Sequence, residues 1–221
     1  MDPILSNIRL VTFDLDGTLV DSVPDLAVAV AAALTDLDLA PPEEAIVRDW
    51  VGNGSLTLME RALTFALGTA PAKEQLDWAH RGFLTHYGRD PSSRTCLYPG
   101  VLACLEGLRE RGFLLALVTN KPFAFIAPIL EGFGLTDTFS LCLGGDSLPQ
   151  KKPDPAPLLH VAAHFRVPPA RCLMVGDSRH DIAAGRAAGF RTLAVPYGYN
   201  HGEPVRASGP DAVVDSLSQL V

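Results

Sequence analysis

Two rhythms of apolar and polar positions divide the chain. Short apolar runs at Leu10 to Phe13, Phe113 to Val118, Phe139 to Leu143, Cys172 to Val175, Thr192 to Val195 and Ala212 to Val214 have the length and composition of buried strands. Helical segments alternate with most of them, predicted at Pro99 to Arg111, Pro122 to Phe133, Ala156 to Phe165 and Asp181 to Ala188. Pro128 should kink the second of these or mark its true start. Strand followed by helix, repeated, predicts a mostly parallel sheet covered on both faces.

Residues 21 to 94 keep a helical period throughout. Helices are predicted at Val23 to Leu37, Pro42 to Trp50, Gly54 to Leu67 and Ala72 to Tyr87, separated by Pro41-Pro42, Gly52-Asn53-Gly54 and Gly68-Thr69-Ala70-Pro71. Ser22 followed by Asp25 fits a capping pattern, with Pro24 tolerated in the first turn. The pattern predicts an α/β fold: a doubly wound, mostly parallel sheet from residues 1–20 and 95–221, interrupted after its first strand by an all-helical insertion at 21–94.

In such sheets ligands sit beyond the carboxyl ends of the strands, and those ends carry the polar residues here. The first strand runs into Asp14-Leu15-Asp16-Gly17-Thr18. Side chains alternate along a strand, so Asp14 and Asp16 leave on one side and Leu15 on the other. The strand closing at Val118 leads into Thr119-Asn120-Lys121, the one closing at Val175 into Gly176-Asp177-Ser178-Arg179-His180-Asp181, and Lys151-Lys152-Pro153-Asp154-Pro155 opens a helix. Asp181, four residues after Asp177, faces the same pocket if a helix starts there. A lone Asp at a strand end is more often a helix cap than a ligand. Joint occurrence around one end of one sheet outweighs that.

Composition narrows the classes of function. A formal charge of -7 with no basic stripe argues against nucleic acid as a partner. An anionic ligand must then find positive charge within the site itself. The four cysteines are widely spaced and read as reduced, packed thiols. Met1 to Arg9 has no signal-peptide pattern, and the nine apolar residues Leu26 to Leu34 are too few to cross a bilayer, so a cytoplasmic location without membrane contact is expected. His160 and His164 are spaced i, i+4 but lack a third ligand, and read as a solvated helix face.

Asp14-Leu15-Asp16-Gly17-Thr18-Leu19 closely resembles the first motif of the haloacid-dehalogenase (HAD) superfamily. The segments at Thr119, Lys152 and Asp177 resemble its second, third and fourth motifs, in the same chain order. The resemblance implies a HAD-like Rossmann-type core with a helical cap, and a phosphomonoester hydrolase acting through an aspartyl-phosphate. Asp14 would be the nucleophile and Asp16 the general acid/base, with a raised pKa expected at Asp16 relative to Asp14. It further implies Thr119, through hydroxyl and backbone N–H, together with Asn120 on the phosphoryl oxygens, and Lys152 as a compact positive charge. A one-residue shift would give that last role to Lys151. An all-oxygen site from Asp14, the Asp16 carbonyl and Asp177, with Asp181 ligating directly or through water, suits Mg²⁺ better than zinc.

Tyr197 to Glu203, Val51 to Gly54 and Lys151 to Leu158 are similar to phosphoglycolate phosphatases. Gly52 and Asn53 precede a helix, so their backbone N–H groups can bind a second anion such as the glycolate carboxylate; a plain inter-helix turn is equally compatible. The partner implied is a small phosphorylated metabolite, and the chain a monomer or homodimer. Rival readings are a phosphatase or mutase for a sugar phosphate or nucleotide, and a non-enzymatic phosphoreceiver. The last lacks a helical insertion and an acid two residues after the nucleophile.

Overall fold

The computed structural model describes residues 3–221. Its strands are β1 (Leu10–Phe13), β2 (Val20–Asp21), β3 (Cys96–Leu97), β4 (Leu114–Val118), β5 (Leu141–Leu143), β6 (Cys172–Gly176), β7 (Arg191–Ala194) and β8 (Ala212–Val213). Its helices are α1 (Val23–Thr35), α2 (Glu44–Arg48), α3 (Ser55–Leu67), α4 (Lys73–Arg89), α5 (Val101–Glu110), α6 (Ile126–Gly132), α7 (Ala156–Phe165) and α8 (Arg179–Ala188). Six strands form one sheet in the order β5-β4-β1-β6-β7-β8, with every neighbouring pair parallel.

Both faces of this sheet are buried, and β1 shows how. Val11 and Phe13 pack with Leu105, Leu108 and Ile129 of α5 and α6, while Leu10 packs on the other face with Leu158, Val161 and Ala184 of α7 and α8. Thr12, fully buried between them, donates its hydroxyl to the Leu173 carbonyl at 2.9 Å and so carries no unpaired polar group into the core. The chain order reverses at β1, which lies between β4 and β6. That reversal opens a crevice beyond the carboxyl ends of these three strands.

Helices α1 to α4 form a separate layer with its own apolar centre, including Val30, Leu34, Leu58, Met59, Leu63 and Phe83. Phe125 and Tyr199 reach into it from the sheet side. The chain enters this layer along β2 and leaves along β3, and the two pair antiparallel, Val20 with Leu97 and Asp21 with Cys96. Buried Asp25 pins the exit beside the start of α1, accepting from the Ser93 hydroxyl and from both the amide and the hydroxyl of Thr95.

Several local expectations change. Ser22 occupies the N-cap of α1 without a side-chain cap bond, because its hydroxyl donates to Asp16 instead, and Asp25 serves the 93–95 segment. Pro128 falls in the first turn of α6, where the missing N–H has no intrahelical partner to lose. The helix therefore starts two residues earlier, after a short 3-10 turn at Phe123–Phe125. Phe139 precedes β5 and packs edge-on against Phe13, with ring centroids 6.3 Å apart. The cysteines are all free, and no helix among the described residues is long and apolar enough to cross a membrane.

Candidate active site

The loop after β1 is shaped by one buried side chain and one glycine. Leu15 turns into the core, and its carbonyl accepts from the amides of Leu19 and Val20, which closes a tight turn. Gly17 sits in that turn at φ 86°, and a Cβ there would fall on the Asp177 carboxylate. Gly198 approaches from the opposite side, where a Cβ would strike the Gly17 carbonyl. Two chain segments thus close on Asp177 and aim it: Thr18 donates its hydroxyl to Oδ1 at 2.6 Å, and the Tyr199 amide donates to Oδ2 at 2.6 Å.

Asp14, Asp177 and Asp181 are all buried, with carboxylate oxygens within 4.8 Å of one another. Lys152 is the cation among them, its Nζ 3.0 Å from Asp14 Oδ1 and 2.6 Å from Asp181 Oδ1. Burial alone would lower the Lys152 pKa, but these two carboxylates outweigh it and the pKa is raised. One ammonium does not balance three acids. Burial, against the pull of Lys152, lifts Asp14 to about 7, and burial with repulsion from Asp181 and Asp14 lifts Asp177 well above the usual carboxylate range. Asp14 is thus a lifted carboxyl at this end of β1, chiefly because it is buried, with repulsion from Asp181 and Asp16 adding to the effect.

Asp16 stands outside that cluster, in an ion pair with Lys121 at 2.9 and 3.1 Å, and accepts from the Ser22 hydroxyl at 2.6 Å. Asp181 caps α8, its Oδ2 receiving the Ser178 amide and hydroxyl while Oδ1 holds Lys152. Its two oxygens are thus engaged by the protein. Asp14 Oδ1 accepts from the Leu15 amide at 2.7 Å, and its Oδ2 accepts no hydrogen bond from the described residues.

Asp14 and Asp16 line a cavity of ≈ 40 Å³ with Thr119, Asn120, Lys121, Gly52 and apolar side chains of the helical layer. One water needs roughly 10–15 Å³ on this measure, so the space suits a small molecule rather than a nucleoside. The Thr119 amide donates to the Leu143 carbonyl, which removes the backbone N–H from its expected role and leaves the hydroxyl. Asn120 donates to the carbonyls of Gly52 and Lys152, tying the helical layer to the sheet.

Gly52 borders the cavity, whereas Asn53 does not. The Asn53 carbonyl accepts from Lys151 Nζ at 2.8 Å, and its Oδ1 lies 3.1 Å from His201 Nε2. The choice between the two lysines is thereby resolved by position: Lys152 reaches the carboxylates and Lys151 the 52–54 loop. His160 and His164 are exposed on α7, away from the cluster. Tyr87 belongs to the cavity but escaped the sequence reading, whereas Lys121, also lining it, lies in the Thr119-Asn120-Lys121 segment singled out at the strand end. Tyr87 is one aromatic on an amphipathic helix and carried no usable signal.

A family model described as haloacid dehalogenase-like hydrolase matches residues 8–189. A phosphoglycolate phosphatase of Psychrobacter arcticus is 50% identical over 216 residues, covering 96% of this chain and 94% of its own. One from Haemophilus influenzae is 44% identical over 216 residues, 96% of each chain. The crystal structure of a predicted phosphoglycolate phosphatase from Haemophilus somnus 129pt superposes with a TM-score of 0.92 at 40% identity, covering 97% of this chain and 96% of that one. Sequence match, shared architecture and the carboxylate-lined crevice agree, and the chain belongs to the haloacid dehalogenase-like hydrolases.

Proposed function

We propose that the protein hydrolyses a small phosphate monoester through an aspartyl-phosphate, with 2-phosphoglycolate as the substrate. The observation that carries the reading is the cluster at the ends of β1 and β6, where Asp14 and Lys152 meet beside Asp177 and Asp14 lines a small cavity together with Thr119. The relatives named above supply the substrate.

Asp14 is the nucleophile. Its Oδ1 is fixed by the Leu15 amide and Lys152, leaving Oδ2 to attack phosphorus in line. The Thr119 hydroxyl and the Lys152 ammonium neutralise charge on the transferring oxygens. Asp16, oriented by Lys121 and Ser22, gives a proton to the departing alkoxide and then takes one from the water that opens the acyl-phosphate. The excess of buried carboxylate over cation fits a hard divalent ion such as Mg²⁺, held by Asp14 and Asp177 with the Asp16 carbonyl, Asp181 supporting the site through Lys152 and Ser178. Bound there, the ion offsets repulsion between the phosphate and the nucleophile.

We assign residues 21–94 to a cap that closes over residues 1–20 and 95–221, with the paired β2 and β3 as its hinge. Phosphate release from a panel of small phosphomonoesters, with and without Mg²⁺, tests the function. Wild type turns over 2-phosphoglycolate, and Asp14→Asn and Asp16→Asn lose at least a hundredfold; full activity in Asp14→Asn ends the nucleophile assignment.

A further inference from the structure

The cavity holds two features that the hydrolytic step does not use, Tyr87 and the start of α3, and between them Lys121, whose part in that step is to orient Asp16. Tyr87, on α4, is 2% exposed, and its hydroxyl has no hydrogen-bond partner. Lys121 is 5% exposed and stands over the Tyr87 ring, its Nζ 4.7 Å from the centroid. It is the cation lining this cavity among the described residues. The thirteen-residue helix α3 begins at the cavity wall, with Gly54 and Ser55 both lining it and no side chain capping its first turn. The amides of Ser55, Leu56 and Thr57 precede the first intrahelical donor, Leu58, which bonds to the Gly54 carbonyl.

We propose that this end of the cavity receives a second anionic group of the substrate, a carboxylate one carbon from the ester oxygen, bound by the Tyr87 hydroxyl, the Lys121 ammonium and the N-terminus of α3. The assignment rests on the phosphatase reading and deepens it. Asp16 is the group that meets the leaving oxygen, and Lys121 is 2.9 Å from Asp16, so the substituent on that oxygen lies beside Lys121. Tyr87 lies against Lys121 in the same cavity lining. A buried phenol without a partner is a donor kept for a ligand, and burial raises its pKa to about 12, so it stays protonated and can donate to an anion. An uncapped helix N-terminus adds amide donors of the same polarity. Leu26, Leu58, Phe83 and Phe125 wall the remainder, which limits the organic part to a few atoms and leaves a longer polar chain without partners. Tyr87 is thus a specificity-determining residue contributed by the helical layer.

The test compares 2-phosphoglycolate with ethyl phosphate, which replaces the carboxylate by a methyl group at the same chain length. Tyr87→Phe lowers kcat/KM for 2-phosphoglycolate about tenfold more than for ethyl phosphate, chiefly through KM. Ser55→Pro removes one first-turn amide at a position where helices accept proline, and shifts the same ratio in the same direction relative to Ser55→Ala. The melting temperature of Tyr87→Phe stays close to that of wild type, since the hydroxyl proton has no acceptor within hydrogen-bond distance in the protein. A ratio unchanged in both Tyr87→Phe and Ser55→Pro, or a melting temperature lowered by several degrees in Tyr87→Phe, overturns the proposal. A wild type that prefers 2-phosphoglycolate while both variants keep its ratio refutes this subsite alone. A wild type without that preference refutes the substrate reading and the subsite with it.

Discussion

Replacing the proposed nucleophile should stabilise the metal-free protein. Burial lifts the Asp14 carboxyl from 3.8 to about 7, against the pull of Lys152. A raised acid is a penalty on folding that is absent below about pH 4, where both states hold the proton. It grows as the unfolded chain deprotonates first and is complete above about pH 7. About three pKa units at 1.36 kcal/mol each amount to roughly 4 kcal/mol at pH 8, falling to roughly 2 kcal/mol at pH 5. Asp14→Asn removes this penalty while its side-chain oxygen still accepts the Leu15 amide and Lys152 keeps Asp181. At about 2–4 °C per kcal/mol for a chain of this size, the melting temperature rises on the order of 8 °C at pH 8. Calorimetry in EDTA at pH 5 and pH 8 reads it directly. Mg²⁺ narrows the gap by stabilising wild type more, by roughly 2.7 kcal/mol at a hundred times its dissociation constant. A variant no more stable than wild type at pH 8, or a difference independent of pH, refutes the argument that burial of the Asp14 carboxyl strains this site.

Three further substitutions probe the scaffold. Lys152→Met leaves Asp14 and Asp181 facing each other without their cation and costs roughly 3–5 kcal/mol by urea denaturation in EDTA, with a larger recovery on adding Mg²⁺ than wild type shows. Asp25→Ala strips the amide and hydroxyl of Thr95 of their acceptor, so stability falls by roughly 2–4 kcal/mol and limited proteolysis near residues 93–95 accelerates. Phe83→Ala empties a fully buried ring stacked at 5.6 Å on Tyr87; about 3–5 kcal/mol is lost, and unchanged unfolding would place Phe83 outside the core of the helical layer.

The sheet and the acids at its strand ends were legible because buried parallel strands are continuous apolar runs and their ends are abrupt. Leu10–Phe13 followed by Asp14 and Cys172–Gly176 followed by Asp177 are such boundaries. What escaped depends on distances between segments far apart in sequence. The β2–β3 ribbon is two residues on each side, too short for any period to show. That Asp14 carries a lifted carboxyl depends on its burial beside Asp181, a matter of packing rather than of pattern. The Thr119 amide was assigned to substrate because the sequence does not reveal that β5 pairs with β4 and takes that N–H. Asn53 sits in the loop expected to touch substrate, yet Lys151 and His201 draw it to the inter-loop contact.

The β2–β3 ribbon also bears on inheritance. Residues 22–95 leave and rejoin the sheet through two strands lying side by side, with Asp21 directly opposite Cys96. A span of that width can be closed by a two-residue turn or by an insertion of any size without disturbing the ladder beneath it. A lineage can therefore exchange the whole helical layer as one module while the groups proposed to act on phosphorus stay in place on the sheet.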